Sequence, residues 1–400
     1  MVQSGKITPD EFAQRLIQAI QEASGREFTF DDSEFRLIEP DGDGFLNLGA
    51  LYQEHCDKSE DERPAHLQGL VSVVCQEGME VPADFASAKA GLRPKIWARG
   101  TLDLAALQHE IQGQEFANLP LKPLGSHMYY SLVYDTEHAM QSISCEQLDE
   151  WGVSFEQAFD VAVVNLEEST SAIAQIGDHF FAPATGDNYD SARVMQIDRI
   201  EGLDTPGECV AMVAERDGLY ITGSRDETGL KLMVSLTDQA SENARPICPV
   251  PLVLTEDGWQ DWIPPANHVL RSEFDRLEVF FLAGLYNQQK PLLDELLDAD
   301  VDDYAFVASF SAIQLNESGA IRSYCVWGED VISLLPRTQI IVFMGEDGTL
   351  ASGEWSHVQS VVGELMYEEE EHYPPRYRVI EFPAAEQLEQ IGFTEGFGPD

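Results

Sequence analysis

The chain has 400 residues, of which 44% are hydrophobic, and its 71 acidic residues against 24 lysines and arginines give a formal net charge of -47. This hydrophobic fraction excludes a largely disordered chain, and the length predicts two or three domains. No basic patch is evident that would neutralise phosphates, so we expect no direct binding of nucleic acid.

The acidic residues are spread evenly, because successive blocks of fifty residues hold between 7 and 11 of them. One like-charge run, residues 368–371, lies beside His372 and Pro374-Pro375 and is predicted to be a solvated loop. Two interpretations of the charge stay open. It suits a strongly solvated surface in a salty cytoplasm, where counterions screen self-repulsion, or a polyanionic mimic or buffer that attracts basic proteins.

No stretch reaches about 18 consecutive apolar residues, and the first residues lack the apolar region of a signal peptide. We therefore expect no membrane segment and a cytoplasmic location. The 6 cysteines are far apart and form no C-x-x-C pair. They are predicted to be reduced, mostly buried thiols, with neither a disulfide framework nor a zinc site.

Residues 1–120 are predicted to form an N-terminal α+β domain. Thr8-Pro9-Asp10-Glu11 is typical of a helix start, with a capping threonine, a proline at the first helical position and acids in the first turn. Strands around a tight turn at 41–44, a helix over 51–75 and a basic strand over 92–97 follow.

Residues 121–265 are predicted to form a central α+β domain, bounded by the proline-containing segments 119–124 and 263–265. Its expected elements are a strand over 127–134, helices over 145–151 and 154–166, strands over 172–176, 179–182, 209–213 and 219–222, a helix over 230–240, and a hairpin over 250–254 and 259–263. Helices and strand pairs do not strictly alternate, which favours an α+β fold with antiparallel or mixed sheets and packed helices.

Residues 266–400 are predicted to form a C-terminal α+β extension. It begins with a long helix, and we assign one apolar face of that helix to core packing: Phe274, Leu277, Phe280, Phe281 and Leu285. Strand pairs are expected over 304–312 with 321–327, and over 339–343 with 350–355.

Two acid-rich segments, 39–50 and 298–309, resemble calcium-binding loops. Position 12 of an EF-hand loop requires a bidentate glutamate, but these segments have Ala50 and Ser309 there. The 9 histidines include no pair at i,i+3 or i,i+4 that one helix would present to a metal. We therefore predict no metal and no cofactor.

The stretch from Gly186 to Val194 concentrates more polar side chains than any other short segment. We predict that Asp187 is the N-cap of a helix and that Asp190, three residues on, reaches back as the acid of a capping box. Asp190 and Arg193 are one turn apart and can pair, which would contribute roughly 0.2–0.5 kcal/mol if the pair is exposed. With Tyr189, these side chains form either a structural helix start or a site for a ligand or partner.

The known catalytic motifs are absent: there is no P-loop, no G-x-G-x-x-G after a strand, no H-E-x-x-H and no G-x-S-x-G. Cys325, on a predicted strand, is interpreted as a buried structural cysteine rather than a nucleophile. Arg216-Asp217 is predicted to lie in a tight turn, and we keep both residues as candidates for a ligand or partner site.

Three segments resemble the uncharacterised bacterial family typified by YtpQ. They are Leu46-Asn47-Leu48-Gly49-Ala50-Leu51-Tyr52, then Ala162-Val163-Val164-Asn165-Leu166 with Asp187-Asn188-Tyr189-Asp190-Ser191-Ala192-Arg193, and finally Arg216-Asp217-Gly218-Leu219. The resemblance covers roughly residues 10–265, and it implies a soluble cytoplasmic bacterial protein. It implies no reaction and no catalytic residues.

Our leading hypothesis is a non-enzymatic protein that binds a partner protein, because catalytic motifs are absent and paired strands offer edges for strand addition. The rival hypothesis is a small-ligand binder or unrecognised enzyme, with its site near Asp187, Tyr189, Asp190 and Arg193. The sequence does not predict the oligomeric state.

Overall fold

The computed structural model describes residues 7–32, 35–38, 45–75, 81–135, 140–169, 173–183, 185–243, 245–299, 304–315, 319–369 and 371–398. It confirms the predicted α+β class, because helices pack on sheets that are antiparallel or mixed. Three predicted features lie at least partly outside the described residues: the turn at 41–44, residues 300–303 of the acid-rich segment 298–309, and the turn residues 316–318.

The α-helices are α1 (Pro9–Ser24), α2 (Gly49–Asp57), α3 (Arg63–Cys75), α4 (Phe85–Ala88), α5 (Arg99–Ile111), α6 (Cys145–Trp151), α7 (Phe155–Ser169), α8 (Ile197–Glu201), α9 (Glu227–Ala240), α10 (Arg271–Ala299), α11 (Trp355–Val362) and α12 (Ala385–Ile391). Short 3-10 helices cover Lys89–Gly91, Ser191–Met195 and Gly363–Leu365.

The strands are β1 (Thr29–Asp31), β2 (Arg36–Ile38), β3 (Phe45–Asn47), β4 (Leu92–Ala98), β5 (Lys122–Leu124), β6 (Met128–Asp135), β7 (Met140–Ser142), β8 (Ile173–Gln175), β9 (Phe181–Pro183), β10 (Cys209–Glu215), β11 (Gly218–Gly223), β12 (Leu252–Thr255), β13 (Gly258–Asp261), β14 (Phe306–Val307), β15 (Ser311–Gln314), β16 (Ile321–Gly328), β17 (Ser333–Pro336), β18 (Ile340–Gly345), β19 (Gly348–Glu354), β20 (Tyr367–Glu369) and β21 (Arg376–Val379).

The N-terminal unit, residues 7–75, has its own core between α1, α2, α3 and the sheet β1-β2-β3. α1 begins as predicted: the Thr8 hydroxyl accepts from the Glu11 N–H at 3.2 Å, and the Glu11 carboxylate accepts from the Thr8 N–H at 3.1 Å. This reciprocal pair satisfies two backbone donors that a helix start would otherwise leave open. It aligns the buried side chains of Phe12, Leu16 and Ile20 with the core.

Strand pairing crosses the predicted domain boundary at residue 120. β4 lies before that boundary and pairs antiparallel with β6 along its whole length, from Leu92 opposite Tyr134 to Ala98 opposite Met128. α7, from the predicted central domain, also packs on β4. Residues 92–98 therefore share a sheet and a core with the central strands.

The central unit contains two sheets. One is an antiparallel sheet in the order β13-β12-β10-β11-β9-β8, and the other has the order β4-β6-β5 with β7 beside β6. The 3-10 helix Ser191–Met195 contacts β4, β10 and β11, so it lies between the two sheets. α9 and the first turns of α10 enclose a second apolar cluster with β10, which includes Phe274 and Leu277. The predicted final hairpin is confirmed as β12 and β13.

The C-terminal unit is joined to the central unit by α10, which packs on α5, α9, β14, β15 and β16. The contact with α5 is close, since a Cβ on Gly100 would lie 2.5 Å from a methyl of Leu285. Phe280 departs from the predicted core-facing stripe and is 51% exposed. The pair β18 and β19 confirms the second predicted strand pair, and β16 pairs with β15 on one side and parallel to β18 on the other.

In the part of the chain that the structure describes, no helix combines the length and the apolar character that a membrane span needs. The Cys325 side chain is fully buried, and its sulfur accepts a hydrogen bond from the Thr338 hydroxyl at 3.3 Å. Burial raises the pKa of the Cys325 thiol to about 12. This agrees with the interpretation of Cys325 as a structural residue, because the thiolate is the nucleophilic form.

Candidate functional site

The polar stretch around Asp187 does not begin an α-helix as predicted. A 3-10 helix, Ser191–Met195, follows it, and the residue at the capping position is Asp190, whose side chain makes no capping hydrogen bond. The prediction that Asp187 is the N-cap and Asp190 the capping-box acid is therefore wrong. The physical reason is competition, because both carboxylates bind the guanidinium of Arg193 instead.

Asp187 and Arg193 form a bidentate ion pair. Nη1 and Nη2 of Arg193 donate to the two Asp187 carboxylate oxygens at 3.0 and 2.6 Å, and Nη1 also donates to Asp190 Oδ1 at 3.2 Å. The exposed fraction of the side chain is 0% for Arg193, 5% for Asp190 and 26% for Asp187. The predicted Asp190–Arg193 pair therefore exists, but it is buried and not at the surface.

Neighbouring donors complete this cluster. The Thr185 hydroxyl lies 2.6 Å from Asp190 Oδ1 and 2.8 Å from Asp187 Oδ1, and the Tyr189 N–H donates to Asp187 Oδ1 at 3.0 Å. Burial by itself would raise the pKa of Asp187, but these hydrogen bonds and the charge of Arg193 hold that pKa below its usual value. The carboxylates are thus satisfied by groups of the same segment, as in a structural cluster.

Tyr189 and the pair Arg216-Asp217 are the other candidate residues from the sequence, and neither binds the Arg193 guanidinium in the described hydrogen bonds. The Tyr189 ring is buried in the central core, and burial and then the charge of Asp135 raise the pKa of its hydroxyl. Arg216 lies in the turn between β10 and β11, where its carbonyl accepts from the Ser191 N–H at 3.1 Å. Its guanidinium pairs with Asp217 at 3.2 Å. The structure therefore brings Asp187, Asp190 and Arg193 together and directs Arg216 and Asp217 elsewhere.

A cleft of about 570 Å³ lies between the central unit and the C-terminal unit. It is lined by residues of α5, of the loop before β6, of β13, of α10 and of the C-terminal segment: Arg99, Ser126, His127, Asp261, Glu278, Leu282, Tyr286, Arg337, Glu368, His372, Tyr373 and Pro375. None of the six candidate residues from the sequence is among them. The volume falls in the range of roughly 300–1,000 Å³ that is typical of small-molecule sites.

Two carboxylates of this cleft, Asp261 and Glu278, lie close enough to influence each other electrostatically. Both oxygens of Asp261 accept from the Ser126 N–H at 3.1 Å. Within the described residues, the Glu278 carboxylate makes no hydrogen bond and no ion pair. Burial, followed by the charges of Asp275 and Asp261, raises its pKa, and the charge of Arg271 opposes this effect only in part. A half-buried carboxylate in this setting is stabilised by a proton or by a bound cation.

His127 and Tyr373 form a hydrogen-bonded pair in the same cleft, with His127 Nδ1 2.5 Å from the Tyr373 hydroxyl oxygen. Burial lowers the pKa of His127 and raises that of Tyr373, so both side chains are neutral near pH 7. We therefore assign the phenol as the donor to Nδ1 and place the imidazole proton on Nε2. The pair presents a neutral, polar wall.

Two guanidinium groups supply positive charge. Arg99 lies 4.3 Å from the centre of the Tyr373 ring and 3.6 Å from the Asp103 carboxylate, so its position is fixed by stacking and by an ion pair. Arg337 is exposed and lies 4.7 Å from the centre of the Trp355 ring. The cleft therefore combines a carboxylate pair with two arginines.

Sequence reasoning missed this cleft because its lining residues span positions 99 to 375 and are assembled only by the docking of α10. The acidic run at 368–371 and its flanking His372 were predicted to be a solvated loop. Glu368 and Glu371 are exposed, as a solvated segment requires, but Glu368 and Glu369 lie in strand β20 and not in a loop. Glu368, His372 and Tyr373 line the cleft, and Tyr373 is only 4% exposed. Tyr373, an aromatic residue two positions after the acidic run, was the sequence signal that this interpretation did not use.

Among the described residues, no group of three or more histidine, cysteine, aspartate or glutamate side chains is arranged to hold a metal ion. No protein-family model matches the chain, and no curated protein or solved structure is significantly similar to it. The resemblance to the YtpQ family therefore stays a prediction from the sequence.

Proposed function

We propose that the protein binds a small zwitterionic molecule, with an amine at one end and an acidic group at the other, in the cleft between the central and C-terminal units. The observation that carries this proposal is the half-buried Glu278 carboxylate, which lies beside Asp261 and makes no hydrogen bond and no ion pair within the described chain. An ammonium group supplies both the charge and the donors that these carboxylates lack.

The rest of the cleft fits the same ligand class. Arg337 carries an exposed guanidinium beside the Trp355 ring and the Tyr377 hydroxyl, and its further donors suit a carboxylate or phosphate. Leu282 and Pro375 supply apolar contacts, and the neutral pair of His127 and Tyr373 offers a hydrogen-bonding wall. This proposal keeps the ligand-binding hypothesis but moves the site away from Asp187 and Arg193, whose charges already satisfy each other.

The proposal is tested by equilibrating the protein with a mixture of small amines, amino acids and amino sugars, and measuring by mass spectrometry which molecules are retained after dialysis. We expect amine-bearing zwitterions to be retained. Glu278→Gln is expected to weaken their binding at least about tenfold, which corresponds to losing one charge-assisted contact of about 1.4 kcal/mol.

Glu295→Gln is the matched control, because Glu295 lies on the same helix, is exposed, and contributes the same charge. The proposal fails if no amine is retained by the wild-type protein. It also fails if Glu278→Gln and Glu295→Gln bind the retained molecule equally well.

A protein partner is a second candidate function. β15 is the edge strand of its sheet, and its residues Ala312, Ile313 and Gln314 are exposed, which suits strand addition. Ile313→Lys is expected to abolish capture of a partner at physiological salt, whereas Val331→Lys, at another exposed apolar position, is expected to leave it intact. Equal capture by both variants would count against this candidate. Cytoplasmic location and a charge-based role toward basic proteins likewise stay proposals.

A further inference from the structure

A group of basic side chains converges where the N-terminal unit meets the central sheets, away from the cleft. Lys95 lies on β4, is half-buried, and has its ammonium nitrogen 5.5 Å from the centre of the Trp97 ring. Within the described chain it makes no hydrogen bond and no ion pair. A lysine in a chain where acids outnumber bases almost threefold would ordinarily find a carboxylate, so its isolation needs a physical reason.

Two arginines, Arg216 and Arg245, lie within electrostatic range of Lys95. The Arg216 N–H donates to the Arg245 carbonyl at 3.3 Å, which holds the two residues side by side. Arg216 pairs with Asp217, and Arg245 pairs with Glu54 of α2. Each carboxylate uses only part of the five donors of its guanidinium. Further donors on both arginines thus stay available for a ligand.

The charge balance around Lys95 is positive. Burial, and after it the charges of Arg216 and Arg245, lower the pKa of the Lys95 ammonium to about 8, and Asp217 opposes this effect. Three cations in mutual electrostatic range repel each other, and the repulsion is strongest where water is partly excluded. An arrangement of this kind is destabilising for the free protein and favourable for a bound anion.

An uncharged donor lies on the same face of the sheet. Ser131 of β6 is the cross-strand partner of Lys95, so the two side chains point to the same side. Ser131 is 1% exposed, and its hydroxyl has no hydrogen-bond partner in the described chain. Buried hydroxyl groups without a partner are rare in folded proteins, and this one is adjacent to the lysine.

We propose that Lys95, Arg216 and Arg245 form a binding site for a multiply charged oxyanion of the phosphate class, distinct from the amine-binding cleft. Lys95 supplies a point charge, and the two arginines supply planar donor pairs that match tetrahedral oxyanions. Glu54 forms an ion pair with Arg245 and thereby connects the N-terminal unit to the site.

The net charge of the whole protein acts against this binding only weakly at short range. At physiological salt the Debye length is about 8 Å, so acids on distant surfaces are screened while the three adjacent cations are not. The global charge of -47 lowers the association rate more than it lowers the local affinity. The net negative charge also favours small anions over extended polyanions such as nucleic acid, because an extended polyanion would contact the acidic surface beyond the site.

The test uses lysine acetylation over a pH series, with each lysine quantified by peptide mass spectrometry, because only the neutral amine reacts. One series contains sodium chloride, one inorganic phosphate and one sulfate, all at equal ionic strength. In chloride we expect Lys95 to react at a lower pH than the exposed Lys231 of α9. In phosphate we expect the rate at Lys95 near pH 8 to fall about fivefold, as an upward shift of its pKa from about 8 by about one unit requires.

Lys231 normalises each series for effects of the buffer on the reagent. Sulfate protecting as well as phosphate supports a general oxyanion site, and protection by phosphate alone supports a narrower one. Arg216→Gln tests the mechanism without touching the lysine. It is expected to raise the pH at which Lys95 reacts in chloride and to remove most of the phosphate protection. Arg276→Gln, at a surface pair with Asp238, is expected to change neither.

Equal reactivity of Lys95 in chloride, phosphate and sulfate overturns the proposal. Full protection of Lys95 by phosphate in Arg216→Gln also overturns it, because the anion would then be held without Arg216. These outcomes are independent of the cleft, since neither readout involves Glu278 or Asp261.

Discussion

Two pairs of carboxylates in this protein show how differently the fold treats buried negative charge. Asp187 and Asp190 lie together around the guanidinium of Arg193 and accept from Thr185 as well. Asp261 and Glu278 also lie near each other, yet Glu278 makes no hydrogen bond and no ion pair within the described chain, although the charge of Arg271 lowers its pKa in part. Burial opposes ionisation in both places, but only the first pair is bound by an internal cation within the described residues.

The difference teaches where function is to be sought. A charge that is satisfied within nine residues of sequence stabilises a segment, and it has little left for a ligand. A charge left without a partner in a cleft raises the free energy of the empty protein, and a ligand that relieves it binds more tightly. The following predictions test this contrast, beginning with the largest effect.

Arg193→Met is expected to lower the free energy of unfolding by about 3–5 kcal/mol, because it leaves the buried Asp190 and the half-buried Asp187 without their cation. Chemical denaturation in urea measures the loss. Arg276→Met is the control, since it removes an arginine from a partly exposed pair with Asp238 and is expected to cost at most about 1 kcal/mol. Similar losses for the two variants would contradict the structural importance of Arg193.

Asp187→Asn is expected to destabilise the protein by about 1–3 kcal/mol near pH 7, because the amide donates where the carboxylate accepts from Arg193. The pKa of Asp187 is lowered by folding, so its contribution is present above its unfolded pKa and is lost as the pH falls through the folded pKa. The stability gap between variant and wild type should therefore narrow as the pH falls below about 4. A gap that does not depend on pH would contradict this account.

Glu278→Gln is expected to change the free energy of unfolding in the opposite direction to Asp187→Asn. Folding raises the pKa of Glu278, so the folded state holds its proton more tightly and loses stability as the pH rises past the unfolded pKa and through the folded pKa. The variant should be more stable than the wild type near pH 8, and the two should converge below about pH 4. Thermal unfolding over that pH range measures how the stabilities of variant and wild type converge, with Glu295→Gln as the control. A destabilised variant at pH 8 would show that Glu278 has an internal partner.

Glu54→Gln is expected to give the smallest effect, up to about 1 kcal/mol, because its partner Arg245 is 44% exposed. Burial alone would raise the pKa of Glu54, but His66 and Arg245 lower it to about 2. The stabilisation is therefore present above about pH 4.5 and is lost as the pH falls toward 2. Faster hydrogen exchange in α2 and α3 near pH 7, compared with the exposed Glu60→Gln, measures the weaker docking. Unchanged exchange would contradict the contact.

Local features of the fold were predictable, since their causes lie within a few residues. The capping box of Thr8 and Glu11 and the hairpin β12–β13 depend on side chains that are adjacent in sequence. The interpretation of Asp187 as an N-cap was wrong, because spacing does not reveal that a buried arginine competes with the backbone for the carboxylate. The pairing of β4 with β6 across residue 120 was also missed, since prolines in the connecting segment suggested a boundary.

The cleft could not be predicted from the sequence for a different reason. Asp261 and Glu278 look like ordinary surface acids in a chain with 71 of them. Their burial depends on α10 packing against α5 and on Tyr373 closing the opposite side, and these contacts join residues more than a hundred positions apart. The neighbouring residues in the sequence do not show which of the many acidic side chains becomes shielded from solvent when the chain folds.

The central claim is that Glu278 is a carboxylate without an internal partner, in a cleft that takes an amine. The most direct measurement is a site-resolved titration of the glutamate carboxyl carbons by NMR, with Glu278→Gln to assign the signal. The account predicts that Glu278 titrates above the usual glutamate range in the free protein and below its free-protein value once an amine-bearing ligand is bound. A normal or lowered pKa of Glu278 in the free protein would contradict it.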